Sequence, residues 1–107
     1  MKKKLLRYSF NEKSEYIIQE GKSIYNDVKK NWSEFFKNKN PLFIELGCGY
    51  GEHTTRFSFL EKDKNFIGID IKGARIYKGA KTLEKNKTTN AIFLRTDIQN
   101  IDEFFNP

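Results

Sequence analysis

Three carboxylates are spaced along the chain so that each closes or follows a short apolar run: Glu45 in Leu42-Phe43-Ile44-Glu45-Leu46, Asp70 after Phe66-Ile67-Gly68-Ile69, and Asp97 after Ala91-Ile92-Phe93-Leu94. Between the first two lies Gly47-Cys48-Gly49-Tyr50-Gly51. Glycines at alternate positions let a backbone turn tightly and let a ligand approach it. A helix opening after such a loop offers free amides to polar or anionic groups. Acids at strand ends beside the loop can pair with an ammonium group or accept hydrogen bonds from ribose hydroxyls.

The spacing argues against a dinucleotide. In that fingerprint the third glycine falls three residues after the second, where this chain has Glu52; its own third glycine, Gly51, comes two residues after. Glu52 also puts a negative charge where a pyrophosphate would face the helix end. A ligand with a cationic amino group, a ribose and no pyrophosphate suits the residues better, and S-adenosylmethionine has those features. Cys48 has no identifiable partner base and reads as a small residue in a tight turn. His53, the only histidine, is assigned no role, and with Cys48 it is too small a set for zinc, so no metal is expected.

The elements that must hold these groups follow from hydrophobic period. Leu42 to Leu46 is a nearly continuous apolar run, as expected of a parallel strand covered on both faces. The series His53, Phe57 and Leu60 predicts a helical face, Phe66 to Ile69 a second strand, and Ile76, Tyr77, Ala80 and Leu83 a second helix. Ala91 to Leu94 is a third strand, and Ile98, Ile101 and Phe105 follow at helical spacing from Asp97, a natural cap. Before Pro41, the spacing of Ile17, Ile24, Val28, Trp32, Phe35 and Phe36 predicts an amphipathic helix over 22–37, with Asn31 and Ser33 marking where it can break. The chain thus divides into 1–40, a basic arm and helix, and 41–107, a β-α-β-α-β-α unit. The expected class is α/β: the first half of a doubly wound parallel sheet, three strands with crossover helices, preceded by an N-terminal helical segment.

Composition narrows the setting. The 107 residues suffice for one domain, and no apolar run approaches the roughly 20 residues needed to cross a bilayer. The opening Met1-Lys2-Lys3-Lys4-Leu5-Leu6 reaches Arg7 before a signal-like apolar region develops, so a cytoplasmic protein with no membrane partner is expected. A net charge of +6 favours polyanions. Lys2, Lys3, Lys4 and Arg7 can form an arm touching phosphates, and Lys78, Lys81 and Lys85 share one helix side, although a lysine-rich solvated surface explains both as well.

Glu45-Leu46-Gly47-Cys48-Gly49-Tyr50-Gly51-Glu52, Asn65-Phe66-Ile67-Gly68-Ile69-Asp70-Ile71-Lys72, Gly79-Ala80-Lys81 and Phe93-Leu94-Arg95-Thr96-Asp97 together resemble the bacterial tRNA (guanine-N7)-methyltransferases. The glycine loop alone is common to class I methyltransferases; the later runs at these intervals are more specific. The resemblance implies a Rossmann-like class I methyltransferase fold, S-adenosylmethionine as cofactor and tRNA as partner. Glu45, Gly47, Gly49, Gly51, Asp70, Ile71 and Asp97 would form the cofactor site, with Asp97 near the adenine. Tyr50 stands where the family often has lysine. The family's Phe-Pro-Asp-Pro-like motif, which acts on the guanosine, has no counterpart, so no catalytic residue is expected in this chain. The expectation is therefore the N-terminal, cofactor-binding half of such an enzyme. The readings left beside it are another class I methyltransferase, a nicotinamide-dependent oxidoreductase built on the same half-sheet, and a basic nucleic-acid-binding fragment.

Overall fold

The computed structural model describes residues 3–106. In chain order the elements are α1 (Lys3–Lys13), β1 (Ile17–Gln19), α2 (Ile24–Asp27), α3 (Trp32–Phe36), β2 (Leu42–Leu46), α4 (Glu52–Leu60), β3 (Asn65–Asp70), α5 (Gly73–Lys85), β4 (Ala91–Arg95), a 3₁₀ turn over Ile98–Asn100, and α6 (Ile101–Phe104). The strands form one parallel sheet in the order β1-β4-β3-β2.

Strand alternation sorts the core into two layers, because successive side chains leave a strand on opposite faces. Ile67, Ile69, Ile92, Leu94 and Ile18 meet Val28, Trp32, Phe36 and Phe104 on one face. Phe66, Ala91, Phe93 and Ile17 meet Ile76, Ala80 and Leu83 of α5 on the other. On the first face, the Trp32 indole donates to the Phe104 carbonyl at 2.9 Å and stacks on Phe105. At the lower rim, the Asn90 amide lies 3.0–3.2 Å from the carbonyls of Ser58, Glu61 and Lys64, tying the end of α4 to the start of β4.

The α/β class stands, and the sheet gains a fourth strand. Ile17 belongs to β1 and not to a helical face; Ile17 and Ile18 are both buried but point to opposite layers, which a helix series running on to Ile24 does not allow. Gly21, at φ +99°, turns the chain out of the strand. The helix expected over 22–37 is two short helices, separated where Lys30 takes φ +58°. The basic arm is helical from Lys3 onward and docks on α5, with the Asn11 amide donating to the Gly73 carbonyl at 3.0 Å and Phe10 edge-on to Tyr77; Met1 and Lys2 lie outside the described residues.

Two apolar runs are more exposed than expected. The α4 residues that are buried are Thr54 and Ser58, whereas Phe57 and Leu60 are exposed. Small side chains are what fit there, because α4 lies close over Gly68 and the Phe93 ring. The run Leu42 to Leu46 is an edge strand among the described residues, paired only with β3, and Phe43, Ile44 and Leu46 are exposed. A flat apolar edge is a template for pairing with another chain. The 107-residue chain in isolation should therefore associate as its concentration rises, an effect that sedimentation velocity reads directly. A single monomer boundary at all concentrations would contradict it, and Ile44→Lys should reduce the association.

Candidate functional site

β2 delivers Glu45 to the upper rim of the sheet, and the chain then runs through Gly47, Gly49 and Gly51 into α4. These glycines have φ of +65°, +57° and +75°, a region that side chains disfavour. Their surroundings differ. At Gly47 and Gly49 no protein atom lies within 4 Å of where a Cβ would stand, so the backbone there presents an open surface. At Gly51 a Cβ would strike the Phe93 ring, and the same ring blocks a Cβ at Gly68 and at Gly79. Phe93 thus sits in a slot walled by three glycines, directly beneath the loop. Gly51 is needed for this packing whatever the loop binds.

Asp70 holds the loop from the side. Its Oδ2 accepts from the Gly49 amide at 3.0 Å and its Oδ1 from the Lys72 amide at 2.9 Å, while Arg75 Nη1 lies 4.0 Å from Oδ2. One largely buried carboxylate therefore pins the glycine loop to the turn that opens α5. Each oxygen keeps a second lone pair, since an ionised carboxylate has about four acceptor sites.

Glu45 is oriented by α4. Thr54 Oγ1 donates to its Oε1 at 2.7 Å, and His53 Nδ1 lies 3.2 Å from its Oε2. Thr54 is buried and His53 exposed. Neither pairing was anticipated from sequence. The signal available was spacing alone: positions 53 and 54 fall in the first turn of the helix that follows the loop, the turn that can fold back over the strand end.

Asp97 and Ile71 lie on one further concavity of about 460 Å³, bordered also by Gln19, Tyr25, Arg95 and Thr96. Asp97 Oδ1 accepts from the Gln99 amide at 2.9 Å and so caps the 3₁₀ turn. Arg95 Nε donates to the Ile71 carbonyl at 3.0 Å and its Nη1 reaches Gln19 Oε1 at 3.4 Å, which links β1 to the turn after β3. Sequence reasoning missed Arg95 and Gln19 because β1 itself was missed. The seven site residues expected from sequence all lie at the carboxyl ends of β2, β3 and β4, where open α/β sheets bind ligands. They fall into a central group of Glu45, the glycines and Asp70, and a side group of Ile71 and Asp97.

No group of three or more potential metal ligands occurs among the described residues, and His53 meets the Glu45 carboxylate. Cys48 is buried, and burial first, then the nearby charges of Asp70 and Glu45, push its thiol up to about 12.

Residues 39–107 match the family model described as "Putative methyltransferase". The chain belongs to this methyltransferase family. The match includes β2, β3 and β4, the strands at whose ends the seven expected residues lie. The tRNA (guanine-N(7)-)-methyltransferase of Cytophaga hutchinsonii is 44% identical over 99% of this chain and 48% of its own length. That of Christiangramia forsetii is 48% identical over 97% of this chain and 49% of its own. The Bacteroides fragilis enzyme of the same name is 51% identical over 74% of this chain and 32% of its own. The chain thus spans about half the length, or less, of these curated relatives. Among solved structures, an antibiotic-related methyltransferase superposes with a TM-score of 0.59 at 19% identity, covering 69% of this chain and 38% of the other, a likeness of fold. No helix among the described residues is long and apolar enough to cross a membrane.

In this methyltransferase family member, burial and the raised thiol pKa should make Cys48 slow to react. The thiolate is the reactive form, so labelling by a disulfide reagent near pH 8 should be much slower in the native state than in denaturant. Fast native labelling would show the thiol to be accessible and ionised. The linkage has a definite sign: a folded-state pKa above the unfolded value leaves this contribution to stability intact below about 9 and removes it as pH rises towards about 12.

Proposed function

We propose that this chain forms the cofactor-binding portion of a cytoplasmic enzyme that transfers the methyl group of S-adenosylmethionine to N7 of a guanosine in tRNA. The observation that carries the reading is likeness to tRNA (guanine-N(7)-)-methyltransferases over 97–99% of the chain, including the whole carboxylate-flanked glycine loop.

The residues fit the cofactor. Gly47 and Gly49 open onto free space, and the second lone pairs of Asp70 and Glu45 face acceptor tasks that a ribose and an ammonium present. When bound, S-adenosylmethionine supplies an electrophilic methyl on a sulfonium. The chain's part is orientation: Thr54 and His53 aim Glu45 at the amino acid moiety, Asp70 takes the ribose hydroxyls while fixing the loop, and Ile71 and Asp97 border the adenine. N7 of guanine carries a lone pair and no proton, so attack needs no general base. Rate would then come from holding nucleophile and methyl in line, an effect worth up to about 7–11 kcal/mol in well-oriented systems.

Calorimetric titration with S-adenosylhomocysteine and with NAD tests the cofactor, and S-adenosylhomocysteine alone should bind. Nucleoside mass spectrometry after incubating tRNA with a protein extended to the relatives' length tests the reaction, with 7-methylguanosine the expected product. Binding of NAD in place of S-adenosylhomocysteine would overturn the reading; a methylated nucleoside other than 7-methylguanosine would point to another class I methyltransferase.

A further inference from the structure

We infer that a basic concavity beside the glycine loop, walled by α1 and the first two turns of α5, is a contact surface for the phosphate backbone of RNA. It rests on the proposed function only for the identity of that RNA as tRNA.

The concavity, about 440 Å³, is bordered by Arg7, Lys72, Arg75 and Lys78 with the rings of Tyr50 and Tyr77, and by no carboxylate. Arg7 is 65 residues from Lys72, so convergence is a product of folding. Positions i and i+4 share a helix face. Arg7 therefore lies one turn before Asn11, on the side of α1 that Asn11 uses to hold the Gly73 carbonyl; docking α1 this way carries Arg7 to the start of α5. Lys78 Nζ stands 5.4 Å from the centre of the Tyr50 ring, which keeps that cation turned toward the loop. Arg75 is shared with Asp70, but Arg7, Lys72 and Lys78 have no ion-pair partner among the described residues.

Three cations without an ion-pair partner bordering one hollow leave it electropositive, which attracts a polyanion. An open, shallow shape with charges on both walls suits a continuous backbone of phosphodiesters, and tyrosine rings between the cations add faces that sugars and bases tolerate. The position follows the chemistry: Tyr50 belongs to the glycine loop, so an RNA strand here lies on the rim where the cofactor is proposed to bind.

The lysines that share a helix side in the sequence separate here. Lys78 borders this hollow, whereas Lys81 and Lys85 border a different groove that contains Glu84, and Lys81 Nζ lies 3.3 Å from the Tyr77 hydroxyl. That division provides the test. Binding of the 107-residue chain to a labelled tRNA and to an unrelated RNA hairpin is followed by anisotropy across a salt series, for the wild type, Arg7→Gln/Lys78→Gln and Lys81→Gln/Lys85→Gln. Each phosphate contact contributes about 0.7–0.9 to the log-log salt slope. The first variant should lose about 1.5 from the slope on both RNAs, with its circular dichroism unchanged. The second should keep the wild-type slope. An unchanged slope in the first variant, an equal loss in both, or no RNA binding by the wild type overturns the inference. A slope loss confined to Arg7→Gln/Lys78→Gln, together with failure of the length-extended protein to methylate tRNA, keeps the phosphate surface and removes the tRNA reading.

Discussion

Gly79→Ala should destabilise the protein by about 1–3 kcal/mol, the usual cost of forcing an extra methyl into a filled core. The sign is the informative part. In an exposed helix interior the same change is favourable by about 1 kcal/mol, because alanine restricts the unfolded chain and forms helix more readily. Gly79 is in the interior of α5, yet a Cβ there would strike the Phe93 ring and lie 3.0 Å from the Tyr50 carbonyl oxygen. Neither neighbour is the free end of a flexible side chain. At roughly 4–8 °C per kcal/mol for a domain of this size, thermal denaturation resolves the effect. Phe93→Leu should recover part of it, and the double-mutant cycle should give a coupling of about 0.5–3 kcal/mol. A rise in melting temperature for Gly79→Ala alone would mean that the ring has room to move, and the three-glycine slot would lose its explanatory value.

Asp70→Asn and Glu45→Gln should each weaken S-adenosylhomocysteine binding tenfold or more in a protein of the relatives' length, since a charge-assisted hydrogen bond is worth about 1.5–3 kcal/mol. They should differ in two other respects. An amide at position 70 can accept from only one of the Gly49 and Lys72 amides and turns a donor toward the other. Asp70→Asn should therefore also cost about 1–3 kcal/mol of stability, the penalty for leaving a buried donor unmet. Glu45→Gln keeps an oxygen for Thr54 and should leave the melting temperature nearly unchanged. The ligands should separate them as well: adenosine should feel Asp70→Asn and not Glu45→Gln, whereas ligands carrying the amino acid moiety should feel both. Two folded variants that bind as the wild type does would make both carboxylates purely structural.

The elements from β2 to β4 were legible because each combines a period-two or near-continuous apolar run with a glycine or acid at its end. β1 was not, because three residues are too few to establish a period and Ile17 happens to stand seven before Ile24. The α4 face was misread for a different reason. Hydrophobicity marks Phe57 and Leu60, but the space beneath α4 is set by Phe93, a residue some 35 positions later, and admits only Thr54 and Ser58. In the same way the strand-end acids could be found from sequence, whereas Thr54, His53 and Arg95 could not. Their importance comes from which atoms they reach, and those distances exist only after the sheet is assembled.

The parallel pairing of β1 with β4 also orders events in time. Ile17 lies opposite Phe93, 76 residues downstream, whereas β2 pairs with β3 and β3 with β4 over intervals of only 23–25 residues. Closing the longer loop costs more entropy, and β4 follows β1 from the ribosome by more than 70 residues. α1 and β1 must therefore wait, with Ile17 and Ile18 unprotected, until β4 arrives. Pulse-labelled hydrogen exchange during refolding should show the β3 amides protected before those of β1. Protection of β1 at the same time as β3 would mean that the N-terminal segment folds together with the sheet and does not join it afterwards.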